Sequence, residues 1–472
     1  MTASIDLPSG NYRLREPVAW PHPPGPPANR VVYAAAHVVA DPMGDNTPGS
    51  PAAVDWETTL RFRRHLWSYG LRVADAMDTA QRNNGLDWAA TRELIRLSAA
   101  AARDLGDPAD LIACGAGTDH VPGARTPQAI EAAYQEQIAA VQESGATVIL
   151  MASRQLAAIT HAPEDYQAVY GKLLAEVERP AILHWLGEMF DPNLAGYWGS
   201  RNIEAATTSF LELIHANAPK IDGVKVSLLD ESHEVRLRAA LPEGVRLYTG
   251  DDFNYPSLIK SGSHALLGIF DAIAPAAAAA FQALDAAEGP HLRRHPAGTR
   301  PDVLDRPHPG ATLGPGDDPA HDALGIGLQP GSPEKAGSPT GTSTRSPVLA
   351  RALGAPKAGS PTGTRTPTDH DISEISASAA DLMADYDRIL APTVALSRKI
   401  FEAPTFHYKT GIVFLAWLNG HQDAFTMVNG AQSARSLSHL AEVFRLADQA
   451  GLLADPELAV SRMRAFLAVH GR

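Results

Sequence analysis

The chain has 472 residues, 44% of them hydrophobic, and a formal net charge of −13. That length exceeds one ordinary compact core and suits a barrel with additions, while the charge argues against a nucleic-acid partner and against an acidic membrane surface. The single cysteine, Cys114, excludes a disulfide framework and a cysteine-rich zinc site.

Residues 1–29 are dense in Pro and Gly (PHPPGPP) and read as an irregular arm. The opening MTASIDLPSG lacks a charged stretch followed by an apolar run, so no signal peptide is expected. With the one cysteine this suits a reducing, cytoplasmic setting. From 30 to 287 two periodicities alternate. Strand-like runs fall at Val31–Val39, Leu71–Met77, Asp110–Gly115, Thr147–Ala152, Ala181–Leu186, Gly223–Leu228, Val245–Tyr248 and Ala265–Phe270. Helical patterns separate them, at Glu57–Ser68, Trp88–Leu105, Pro127–Ser144, Glu164–Val177, Ile203–Ala216, Ser232–Ala240, Pro256–Ser261 and Pro275–Ala287. Strands that alternate with helices imply parallel pairing, because each crossover must return the chain to the same end of the sheet. The predicted fold is therefore an α/β (β/α)8 TIM barrel, with a doubly wound open sheet as the alternative. The alanine-rich run Ala274–Ala280 is too short to span a membrane and reads as helix.

From 288 to 372 the pattern vanishes into Gly, Pro, Ser, Thr and His, with an imperfect repeat, KAGSPTGTSTRSP at Lys335–Pro347 and KAGSPTGTRTP at Lys357–Pro367. Such composition buries too little apolar surface to offset its ordering entropy and reads as a disordered insertion. Its Ser-Pro and Thr-Pro steps leave a phosphorylated or partner-binding tail as the other reading. Residues 373–472 return to helix, at Ala377–Ile389, Thr393–Phe401, Thr410–Leu418, Ala434–Ala450 and Pro456–Val469, and read as a helical extension packed on the barrel.

Reactive groups of a parallel barrel gather at the carboxyl ends of its strands. That rule selects Asp78, Thr79 and Arg82 after strand 2, Gly115 with Asp119 and His120 after strand 3, Arg154 after strand 4, His184 and Glu188 on strand 5, Lys225 on strand 6, and Asp251 and Asp252 after strand 7. Lys225 is the outlier, a lysine within the apolar run Val224-Lys225-Val226. Desolvation there lowers its proton affinity and frees the amine to attack a carbonyl carbon. The plainer reading is a lysine on a solvated strand face, which a barrel offers little of. His184 on the preceding strand is either a satisfied core group or a proton carrier. Asp251 and Asp252 can equally cap the following helix. No P-loop pattern occurs, so no nucleotide and no other cofactor is expected.

Three stretches carry a resemblance. Asp222-Gly223-Val224-Lys225 resembles the strand-6 lysine motif of the dihydrodipicolinate synthase and N-acetylneuraminate lyase superfamily. Thr249-Gly250-Asp251-Asp252 with Ser261–Gly268 resembles its strand-7 and strand-8 signature, and Gly115-Ala116-Gly117 its glycine turn after strand 3. The chain is similar to a divergent branch of that superfamily, DUF993. The resemblance implies that Lys225 forms an imine with a 2-keto acid or related carbonyl compound, as in a class I lyase or aldolase. It implies that His184 stands where the superfamily has a proton-relaying tyrosine. It extends the substrate-contacting set to Asp78, Thr79, Arg82, Gly115, Arg154, Asp251 and Gly268, with no metal. Only Thr79 survives from the superfamily's threonine-rich strand-2 motif, and the arginine that follows its tyrosine is replaced by Leu186-Gly187-Glu188. Arg82 or Arg154 would then supply the positive charge. The partners implied are a small-molecule substrate and copies of the same chain, as a dimer or tetramer. Two rivals remain: a metal-dependent barrel using Asp78, Asp119, His120, His184 and Glu188, and a barrel that only binds ligand.

Overall fold

The computed structural model describes residues 3–160, 162–289 and 369–471, and side chains in all of these but 369–378. Most of the expected insertion, and with it the whole tandem repeat, lies outside the described residues.

An antiparallel pair, β1 (Ser4–Leu7) and β2 (Gly10–Arg13), opens the chain. It corrects the expectation of a wholly irregular arm, because Ile5 and Leu7 alternate inward onto the core. Eight strands follow: β3 (Val32–Ala35), β4 (Arg72–Asp75), β5 (Ile112–Ala116), β6 (Thr147–Leu150), β7 (Ala181–Leu186), β8 (Ile221–Ser227), β9 (Arg246–Thr249) and β10 (His264–Leu267). They close into one barrel in the order β10-β3-β4-β5-β6-β7-β8-β9, every pair parallel. The helices α1 (Trp56–Ser68), α2 (Trp88–Arg103), α3 (Pro108–Leu111), α4 (Pro127–Ser144), α5 (Arg154–Ile159), α6 (Pro163–Glu176), α7 (Ile203–Asn217), α8 (Glu231–Ala240), α9 (Tyr255–Lys260) and α10 (Ile269–Glu288) return the chain. The extension comprises α11 (Asp369–Ile400), α12 (Tyr408–Leu418), α13 (Leu437–Gln449) and α14 (Pro456–Val469).

Strand alternation sorts the side chains. Tyr33, Ala35, Ala74, Ala113, Ile149, Ile182, Tyr248 and Leu266 pack together inside the barrel. Their neighbours Val32, Ala34, Val73, Ile112, Val148, Leu183, Val224, Val226 and Leu267 face the helices. Both faces are thus buried, which explains why these strands read as nearly continuous apolar runs.

Several boundaries differ from expectation, the first barrel strand most, which spans Val32–Ala35 and not Val31–Val39; three of the differences have plain local causes. Asp107 accepts a hydrogen bond from Ala109 N and Pro108 opens a helical turn, so β5 begins at Ile112 rather than Asp110. Ile269 and Phe270 belong to α10, which starts directly after β10 and kinks at Ile273, two residues before Pro275. Pro392 sits inside one continuous α11 instead of separating two helices. The α10 helix is long and apolar enough to cross a membrane by length and composition, yet 61% of its most apolar window is buried in this fold.

Candidate functional site

On β8, Val224 and Val226 face the helices, so Lys225 points into the barrel. Its register partners are His184 on β7 and Tyr248 on β9. Gly250 makes room for it: a Cβ there would lie 2.9 Å from Lys225 Cε and 2.2 Å from Ser227 Oγ. Lys225 is only 8% exposed, and among the described residues no hydrogen bond or ion pair satisfies its ammonium. Burial pushes its proton affinity down, while the carboxylates of Asp78 and Asp252 pull it back up. An amine held this way is more easily freed of its proton than one in water.

The acids divide by their partners. Asp251 is occupied: it accepts from Phe253 N (2.8 Å), Asn254 N (3.0 Å) and Asn254 Nδ2 (2.9 Å), and so holds the turn before α9. The N-cap of α9 is Asn254, which makes no side-chain cap, so Asp251 ties the preceding turn and does not cap the helix itself. Asp252, one residue on, is within electrostatic reach of the lysine; it accepts Ile269 N at 2.9 Å, and burial pushes its carboxyl up to about 7. Asp78 lies in the turn after β4, half-buried, with no hydrogen-bond or ion-pair partner among the described residues. His184 is buried beside the lysine. Its Nε2 reaches Ser227 Oγ at 3.4 Å, and its Nδ1 has no partner among the described residues. Burial and the neighbouring charge of Lys225 both hold its proton affinity well below the usual histidine range, so the ring is neutral near pH 7.

The helical extension completes the site, a contribution absent from the sequence-derived set. Tyr408, at the start of α12, exchanges a 2.8 Å hydrogen bond with Thr79 Oγ1 and stacks on Phe401 at 4.4 Å. Gly268 admits that stack, since a Cβ there would lie 2.9 Å from Phe401 Cζ. Lys409 is 2% exposed. Its Nζ donates to Phe406 O at 3.1 Å and lies over the rings of Phe406 and Tyr408, 4.6 and 4.5 Å from their centroids. Burial pulls its ammonium down to about 8, opposed by Asp78 and Asp191 and reinforced by Arg154. One signal was available: α12 is buried at every position, and a lysine inside such a helix is as anomalous as Lys225 in its strand.

The remaining candidates sit elsewhere. All five Arg82 donors are committed to Asp119, Gln137, Ala76 O and Gly115 O, which leaves none for a substrate. Gly115 serves close packing, since a Cβ there would lie 2.4 Å from Ala76 O. Arg154 is one-third exposed; its Nε pairs with Asp191 and its terminal nitrogens are unpartnered among the described residues. The ligands imagined for a metal are dispersed: Asp119 holds Arg82, His120 holds Glu136 and Gln137, and Glu188 is exposed. Among the described residues no three His, Cys, Asp or Glu side chains gather to hold a metal ion.

Comparison with known proteins gives one family match. The family described as "Protein of unknown function (DUF993)" matches residues 4–302 and 373–472, most of the chain. No curated protein matches. Among solved structures, the dihydrodipicolinate synthase of Bacteroides thetaiotaomicron is similar at 13% identity, over 56% of this chain and 78% of that one, with a TM-score of 0.43. The synthase of Bacillus anthracis is similar at 14%, over 55% and 77%, with a TM-score of 0.42. The chloride-inhibited synthase of Acinetobacter baumannii, complexed with pyruvate, is similar at 17%, over 55% and 76%, with a TM-score of 0.39. Similarity at this level transfers no residue role to this chain.

Proposed function

The chain belongs to the DUF993 family, and from that premise we propose that its barrel is a class I lyase or aldolase working through an imine on Lys225. The observation that carries this reading is a buried, inward-facing lysine that has no hydrogen-bond or ion-pair partner among the described residues and is flanked by Asp78, Asp252 and a neutral His184. The motif likeness of Asp222–Lys225 and Thr249–Asp252 to the lysine-imine lyases supports it.

In this mechanism the neutral amine of Lys225 adds to a substrate carbonyl carbon. The carbinolamine loses water, and a protonated imine remains. That iminium accepts the electron pair of an adjacent breaking bond, or its enamine donates one to an electrophile, so a carbon–carbon or carbon–oxygen bond is cleaved or formed. Asp78, whose carboxylate accepts no hydrogen bond among the described residues, is the group placed to take the proton that leaves the amine. The hydroxyls of Tyr408 and Thr79, joined at 2.8 Å, donate and accept at the carbonyl oxygen. His184, buried and uncharged, orients the carbonyl and takes up a proton when the bond breaks. A cytoplasmic setting and a self-associating barrel are part of the same reading.

The test is borohydride reduction in the presence of a panel of aldehydes and 2-keto acids, followed by intact mass. The wild-type chain gains the mass of one reduced imine and the Lys225→Met chain gains none. A panel without any adduct would sink the mechanism.

A further inference from the structure

Two cations at the rim of the site have donors to spare. Lys409 Nζ uses one of its three hydrogens, on Phe406 O at 3.1 Å, and is otherwise walled by aromatic rings. Arg154 is fixed through Nε by Asp191, whose other oxygen is taken by Asn193 N (3.1 Å) and Asn193 Nδ2 (2.9 Å), so the guanidinium presents its free edge. Phe190 packs edge-on against Tyr408 at 6.3 Å, and the next residue, Asp191, holds Arg154. The segment that fixes Arg154 therefore lies against the start of α12, where Lys409 sits. The two cations are within electrostatic reach of each other, and Asp78 of both Lys409 and Lys225. Burying two like charges together is unfavourable unless an anion comes between them. Of the carboxylates that act on Lys409, Asp191 is already engaged and the field of Asp78 is shared with Lys225.

We propose that Lys409 and Arg154 form an anion subsite, so that the compound bound by Lys225 carries a carboxylate or phosphate group beyond its reacting carbonyl. Lys409 of the helical extension and Arg154 of the segment after β6 thereby set substrate class together, and the barrel strands set the chemistry. The inference rests on the imine reading for the identity of the reacting carbonyl, while the subsite itself is testable without it. Guanidinium and ammonium both suit carboxylate and phosphate, with Arg supplying the fork and Lys the point charge.

Two measurements separate the outcomes. First, malonate and inorganic phosphate are titrated by calorimetry into the wild-type chain, Arg154→Gln, Lys409→Met and Lys409→Arg. Affinity for one of the two anions is expected to fall by about tenfold or more in Arg154→Gln and Lys409→Met, the size of a lost charge-assisted hydrogen bond. It is retained in Lys409→Arg. Which anion binds tells carboxylate from phosphate. Second, borohydride trapping is compared between anionic carbonyl compounds (pyruvate, 2-oxoglutarate, glyceraldehyde 3-phosphate) and neutral ones (acetaldehyde, hydroxyacetone). The preference for anionic probes is expected to shrink in the same two variants. Equal anion affinity in all four chains, or no binding by the wild type, overturns the subsite. Adducts with an unchanged preference also overturn it and leave the imine standing. Anion affinity that depends on both cations, without any adduct, keeps the subsite and defeats the imine. Arg154 is one-third exposed, so its variant tests the proposal even if the buried Lys409→Met chain fails to fold.

Discussion

At the amino-terminal end of the barrel, Asp222 accepts Tyr248 Oη at 2.6 Å and pairs with Arg246, while Arg72 lies over the ring of Tyr33. At the carboxyl-terminal end, Lys225 on the same strand has no hydrogen-bond or ion-pair partner among the described residues, and Asp78 has none either. Both ends gather ionisable groups against the barrel interior, and one end satisfies them. A paired buried charge is a structural device, whereas an unpaired one costs stability and persists where it does chemistry. The same contrast separates the two arginines proposed from sequence. Arg82 is saturated and Arg154 is half free.

The contrast can be broken by substitution, most decisively at Lys225. Lys225→Met is expected to lower turnover on the order of 10³-fold or more while leaving the thermal midpoint unchanged or higher, since a buried unpaired amine is removed. A large loss of stability with activity retained would place Lys225 among the structural groups. Arg82→Met should do the reverse, costing about 3–5 kcal/mol in urea unfolding by stranding Asp119. Trapping per folded molecule should survive. Tyr248→Phe at the saturated end should cost about 1.5 kcal/mol, the worth of a hydrogen bond to a carboxylate, with trapping unaffected. The smallest effect sharpens the open end. Asp252, ionised above about pH 7, helps keep the proton on Lys225. Asp252→Asn removes that anion, so the amine deprotonates at lower pH and the rising limb of the pH–rate profile moves to acid by about one unit. A limb that stays in place would remove Asp252 from the site.

The barrel was legible because both faces of a parallel strand are buried, which gives apolar runs, and because Gly and Pro punctuate the crossovers. Lys225 was legible for the same reason, as a charge inside such a run. The antiparallel pair at Ser4–Arg13 escaped because four-residue strands leave too short a pattern to read. Tyr408 and Lys409 escaped because they lie 183 or more residues from Lys225 in the chain, and nothing local shows that α12 begins over the barrel mouth; that proximity comes only from tertiary packing. Asp251 and Asp252 could not be told apart from sequence, since either can cap a turn. Only the backbone decides that one turns toward its own loop and the other toward the lysine.

Among the described residues two buried lysines have amines eased toward neutrality, Lys225 and Lys409. The most direct test is therefore to map the site of the reduced adduct after borohydride trapping, by peptide mass spectrometry of the protease-digested wild-type chain. The account predicts the added mass on the peptide bearing Lys225, with Lys409 unmodified. An adduct confined to Lys409, or none on either lysine, would contradict it.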